Sequence, residues 1–344
     1  MTTTLIPVIA ALVAATVVLA LTPVSALLAR RLGAVDQPSG RRIHRTPTPR
    51  LGGLAIFVGF MLPVLWFVPG DPGTRALLAG ASLIVLLGAI DDVWGLTPAV
   101  KLLGQVGCAA IPVAAGLTID HVTVPLLGVF DLGPAQYPLT ILWFVAIVNM
   151  INFIDGMDGL SAGVGGIGAS TFAVLAASLG RADAAILAAA LAGACVAFLA
   201  FNFHPARVFM GDSGALLIGF VLAGVAVSGV MKSAAAIAVV APLIVLAIPI
   251  LDTSFVILRR MKHGLPVYGA DRSHFHHRFF TIGWSQRRTV LTLYAWCALL
   301  AGFALATRFV SWGAADGVDP LGGRARGGGG RGGLHATERK RIML

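Results

Sequence analysis

Apolar stretches close to twenty residues long recur from Leu5 to Val310, separated by short polar connections. A helix needs about that length to cross the hydrocarbon core of a bilayer. The pattern predicts about ten spans, at 5–29, 51–68, 75–90, 102–119, 139–152, 160–180, 184–201, 213–230, 235–257 and 289–310. A membrane barrel would show short alternating segments instead. The expected fold class is all-α, a polytopic transmembrane helical bundle. The first run is too long for a signal-peptide core and has no basic residue before it, so it reads as a retained span. After Val310 the pattern stops. Gly322 to Gly333 is almost entirely Gly and Arg, a composition that cannot bury a core. The predicted division is an integral membrane domain over 1–310 and a disordered tail over 311–344.

Composition agrees with the pattern. The chain is 57% hydrophobic and 12% charged, about half the charge of a soluble domain. Cys108, Cys195 and Cys297 fall inside apolar runs without paired spacing and read as packing residues. The net charge of +10 matters through its placement. Arg30, Arg31, Arg41, Arg42, Arg45, Arg50, Lys101, Arg207, Arg259, Arg260, Lys262, Arg272, Arg278, Arg287 and Arg288 fall on one side of the predicted spans. That side is expected to be cytoplasmic, with the N-terminus outside. The basic loop after Arg41 has too few aromatics to stack bases, which argues against nucleic acid as a partner. The same face also gathers aspartates, which the positive-inside rule does not explain.

Four polar clusters on that face carry candidate chemistry. Asp91 and Asp92 close an apolar run, and adjacent carboxylates suit a divalent cation or a proton acceptor. Lys101 and Gln105 lie one helical turn apart and are positioned to meet an anion at the same surface. Asn152, Asp155 and Asp158 would share one face if the helix carried through them. In Phe209-Met210-Gly211-Asp212-Ser213-Gly214, two glycines flank the start of a span, where exposed N–H groups suit a phosphate and Asp212 or Ser213 suits an N-cap. In Asp271-Arg272-Ser273-His274-Phe275-His276-His277-Arg278 the histidine spacing matches no structural zinc pattern, and the flanking arginines favour phosphate oxygens as ligands.

Together with Pro47-Thr48-Pro49-Arg50-Leu51-Gly52-Gly53, these motifs resemble the polyprenyl-phosphate N-acetylhexosamine-1-phosphate transferases. The likeness runs in order from about residue 30 to residue 290. It implies transfer of a sugar 1-phosphate from a UDP-sugar to a polyprenyl phosphate with release of UMP, at the cytoplasmic face of a bacterial plasma membrane. It also implies Mg²⁺, with Mn²⁺ as an alternative. By this analogy Asp91, Asp92, Asp155, Asp212 and His274 form the catalytic set, and Asp212, Asp155 and Asp92 hold the metal. His44, Lys101, Asn152, Asp158, Arg272, His276 and His277 are then expected to bind substrate. The separated H-x-H-H spacing looks like the GlcNAc-1-phosphate branch, and the branch acting on UDP-MurNAc-pentapeptide is the alternative within the family. The GlcNAc-1-phosphate branch usually has an eleventh span, where this chain has its Gly/Arg tail. A polytopic transporter is the rival of another class, but it would place its polar residues near the bilayer midplane. A homodimer is left open.

Overall fold

The computed structural model describes residues 2–37, 47–68, 70, 72–124, 128–231, 243–263 and 283–309. The described helices are α1 (Thr2–Leu32), α2 (Gly52–Phe67), α3 (Pro72–Trp94), α4 (Pro98–Ala114) and α5 (Gln136–Ile154), then α6 (Leu160–Ser178), α7 (Ala182–Asn202), α8 (Gly211–Val225), α9 (Ala247–Lys262) and α10 (Gln286–Phe309). A π-helical segment, Ala226–Met231, continues α8. Among the described residues seven helices are long and apolar enough to cross a membrane, and α2 and α4 are shorter apolar helices. Of the ten expected spans, seven correspond to these long helices and two to α2 and α4, while the ninth, 235–257, lies partly outside the described residues. The run predicted at 102–119 shows how a helix departs from its apolar run. Thr97 caps α4 with a proline at the first position, so the helix starts earlier than its apolar pattern. It ends at Ala114, before Gly116 takes a left-handed φ of 88°.

The fold also contains strands that apolar length did not predict. A short pair, Val35–Asp36 (β1) with Thr48–Pro49 (β2), joins α1 to α2. Residues His121–Val124 (β3) and Gly128–Asp131 (β4) form an antiparallel hairpin between α4 and α5.

At the centre stands α8, nearly all of whose residues are buried. It packs against α3 and α5 and also touches α2, α6 and α7. Small residues allow this, because helices in a membrane gain little from hydrophobic segregation and depend on close approach. A Cβ on Gly219 would sit 2.7 Å from the α5 backbone at Val148, and one on Gly88 of α3 would sit 2.5 Å from Ser213. Phe144 and Phe220 then meet at 4.9 Å between ring centroids across α5 and α8. On the outside, Leu65, Leu103, Leu142 and Leu299 are strongly exposed, as a surface facing lipid requires. Cys108, Cys195 and Cys297 are buried free thiols, as expected of packing residues.

Candidate active site

Four helix ends converge at one end of the bundle. Asp91 and Asp92 lie in the last turn of α3, Lys101 in the first turn of α4, Asn152 in the last turn of α5 and Asp212 in the first turn of α8. Lys101 joins them. Its Nζ lies 2.9 Å from Asp91 Oδ2 and 2.6 Å from Asp212 Oδ2, and it donates to Asn152 Oδ1 at 3.3 Å. Asn152 Nδ2 donates to the other Asp212 oxygen at 2.6 Å. Asp91 also accepts from the backbone N–H of Leu96 at 2.5 Å, which fixes its carboxylate against the α3–α4 turn.

Asp92 points elsewhere. Only 8% exposed, it accepts from the backbone N–H of Asp212 at 2.8 Å, the N–H of Ser213 at 3.1 Å and the Ser213 hydroxyl at 2.9 Å. The first N–H groups of α8 have no partner within their own helix, and Met210 at the N-cap position supplies no side-chain bond. The capping role expected of Asp212 or Ser213 thus falls to a carboxylate from α3. It neutralises the positive end of α8 while leaving the Asp212 side chain free to face Lys101. Both oxygens of Asp92 thus accept hydrogen bonds from the start of α8.

Glycines make this junction fit. Gly211 has φ 70°, and a Cβ there would overlap the Asp92 carboxylate and the Arg50 carbonyl. A Cβ on Gly53 would overlap the backbone at Gly214. The backbones of the two motifs are laced together: Gly52 N–H donates to Phe209 O at 3.0 Å, Gly53 N–H to Met210 O at 2.8 Å, and Phe209 N–H to Pro49 O at 2.8 Å.

The stretch from Asn152 to Asp158 does not form one helical face. Helix α5 ends at Ile154, and Asp155 takes the C-cap position with φ −75° and ψ 35°. Asn152 therefore turns toward Asp212, while Asp158 turns away to meet His204 Nδ1 at 2.7 Å and the Ala206 N–H at 3.1 Å. Asp155 lies between them and makes no side-chain hydrogen bond among the described residues. Burial first, then the neighbouring carboxylates of Asp212 and Asp92, push its carboxyl well above the usual range, with Arg50 acting in the opposite direction.

Gln105, expected beside Lys101 at an anion, is corrected. It is 1% exposed and pairs with Asn149 in a reciprocal amide bridge between α4 and α5. Asp252 is buried within α9. His44, Arg272, His274, His276 and His277 lie outside the described residues. Two participants had no assigned role in the sequence. His204 precedes the Phe209–Gly214 motif without belonging to it, and Arg50 reads as one more charge of a basic loop. A cavity of about 580 Å³ opens at the other end of the bundle, between the start of α3 and the α6–α7 turn, and holds none of these residues.

Residues 74–230 match the family described as Glycosyl transferase family 4, a segment that contains every member of the Lys101 cluster. Over 289 residues the chain is 43% identical to a Bacillus subtilis (strain 168) protein named probable undecaprenyl-phosphate N-acetylglucosaminyl 1-phosphate transferase, covering 83% of this chain and 81% of that protein. It is 37% identical over 315 residues to the decaprenyl-phosphate N-acetylglucosaminephosphotransferase of Mycobacterium tuberculosis (strain ATCC 25618 / H37Rv), covering 82% and 78%. Identity to the undecaprenyl-phosphate alpha-N-acetylglucosaminyl 1-phosphate transferase of Escherichia coli (strain K12) is 27% over 294 residues, covering 82% and 78%.

Proposed function

This chain belongs to glycosyl transferase family 4, and from that premise we propose that it transfers N-acetylglucosamine 1-phosphate from UDP-N-acetylglucosamine to a polyprenyl phosphate. An oxygen of the lipid phosphate attacks the phosphorus that bears the sugar. The bond from that phosphorus to the bridging oxygen breaks, and UMP leaves with the bridging oxygen. The observation that carries this reading is the Lys101 ammonium held by Asp91, Asp212 and Asn152, groups from three other helices.

A phosphate monoester has its second pKa near 6, so the acceptor is already mostly a dianion at neutral pH. Activating the nucleophile then matters less than neutralising charge and aligning the two phosphates. Asp91, fixed by Leu96 and Lys101, is positioned to take the remaining proton. Lys101 is positioned to exchange carboxylate partners for phosphate oxygens as the substrates enter.

The residues fit a divalent cation. Among the described residues no three carboxylate, imidazole or thiolate groups are gathered as a ready-made metal cage. Mg²⁺ does not require one, since it is commonly held by one or two carboxylates, substrate phosphates and water. Asp155 is crowded by like charge and has no hydrogen-bond partner among the described residues, which is the environment a cation would relieve. Asp212 and Asp155, with Asp91 beside them, are the residues that would hold the metal. When bound, it supplies neutralisation of the diphosphate oxygens.

The site end of the bundle is read as cytoplasmic. Arg30 and Arg31 at the end of α1, Arg259, Arg260 and Lys262 at the end of α9, and Arg287 and Arg288 at the start of α10 share that end. A soluble nucleotide sugar and a lipid phosphate would meet there at the interface of a bacterial plasma membrane. Purified protein incubated with Mg²⁺, undecaprenyl phosphate and either UDP-GlcNAc or UDP-MurNAc-pentapeptide tests the proposal. It predicts UMP and lipid-linked product with UDP-GlcNAc. Product from the pentapeptide donor alone would move the chain to the other branch, and UMP from neither would refute transfer.

A further inference from the structure

The last described helix, α10, touches the site loops at two points that neither its apolar pattern nor the proposed chemistry explains. Tyr294 donates its hydroxyl to the carbonyl of Gly159, the residue that closes the α5–α6 loop in a left-handed conformation, φ 80°. Gly163, one turn into α6, leaves a slot for the ring, since a Cβ there would overlap Tyr294. About two helical turns toward the site, Arg287 Nε donates to His204 O in the α7–α8 loop at 3.1 Å.

Those two anchor points belong to one hydrogen-bonded unit. Asp158 of the first loop meets His204 and the Ala206 N–H of the second. Asn202, 3% exposed, accepts from Gly159 N–H at 3.0 Å and donates to Val208 O at 3.0 Å. The first loop carries Asp155, and the second leads directly into Asp212. A shift of either loop therefore moves a carboxylate of the site.

We propose that Tyr294 and Arg287 are positioning residues that hold the two donor-side loops in register against each other, acting through Gly159 and His204. That these loops serve the UDP-sugar rests on the proposed function; that α10 holds them does not. Tyr294→Phe removes one hydrogen bond and keeps the ring in its slot. The loss of one such bond corresponds to about a three- to tenfold change in an equilibrium. Backbone amide exchange of the full-length Tyr294→Phe protein in detergent is expected to quicken about three- to tenfold over residues 156–160, with α2 and α8 unchanged. Arg287→Ala is expected to do the same over 203–206. In the UMP-release assay, KM for UDP-GlcNAc is expected to rise about three- to tenfold in Tyr294→Phe, with KM for undecaprenyl phosphate moving less than about twofold. Unchanged exchange in both variants would overturn the proposal. So would an equal rise of both KM values with a general loss of thermal stability, because that is what a merely structural contact produces. Faster exchange in a protein whose wild type releases no UMP would refute the assigned reaction and support the positioning role.

Discussion

Asp91 and Asp92 follow one another on the last turn of α3, yet they enter regions held together by different means. About 100° of helix rotation separates neighbouring side chains. Asp91 faces the Lys101 cluster, where the ammonium joins it to a second carboxylate, Asp212. Asp92 faces the α8 N-terminus, where its partners are two backbone N–H groups and one buried hydroxyl. The first region is charged and partly exposed. The second is buried and has no partner to release without uncapping α8. Adjacent acidic residues at a membrane helix end thus need not act together. We propose that Asp91 serves the chemistry and that Asp92, which caps α8, fixes the helix that presents Asp212.

This contrast makes separable predictions. The largest effect is expected in the Lys101 cluster. Asp91→Asn and Asp212→Asn should each lower kcat for UMP release at least about 100-fold, the scale of a lost acid–base or metal-holding group. The apparent melting temperature of Asp212→Asn should stay within about 2 °C, since that change also relieves carboxylate crowding at Asp155. Asp91→Asn instead gives up its ion pair with Lys101 and should lower the melting temperature by a few degrees. Near-normal turnover by either purified variant would remove that residue from the reacting set.

Asp92→Asn should act through stability. The amide keeps one acceptor but turns a donor toward the donors of Ser213, so at least one charge-assisted bond is lost. That loss is expected to destabilise the protein by about 2–3 kcal/mol, seen as a fall of roughly 5 °C in melting temperature. Activity should fall only as far as the folded fraction does. A large loss of kcat with no change in melting would mean that Asp92 belongs with Asp91 after all.

Asp158→Asn should give the smallest effect. It weakens the bridge to His204 without touching the Lys101 cluster. KM for UDP-GlcNAc is expected to rise about three- to tenfold with kcat nearly unchanged, the change a loosened binding loop gives. A 100-fold fall in kcat in steady-state kinetics would instead move Asp158 into the reacting set.

The sequence made the helical class and the polar face legible because apolar length and basic-loop asymmetry are direct consequences of bilayer physics. Asp91, Lys101, Asn152 and Asp212 stood out for the same reason, as costly polar residues at the ends of apolar runs. Which way each carboxylate points was not legible. Helix ends at Ile154 and Trp94 decide that, and a one-turn error reverses the outcome, as the supposed common face of Asn152, Asp155 and Asp158 demonstrates. Gln105 was misread because its partner Asn149 lies 44 residues away and leaves no local signal. The hairpin from His121 to Asp131 was hidden by a strand pattern too short to compete with the surrounding apolar runs.

The central claim is that Lys101 and Asp212 act as one unit at the convergence of four helices. A double-mutant cycle measures this directly, with UMP release followed for Lys101→Met, Asp212→Asn and the two combined. If the residues work as a unit, the double variant should lose no more than about tenfold beyond the worse single variant. Losses that multiply, to roughly 10,000-fold if each single variant loses 100-fold, would show two independent contributions and contradict the account.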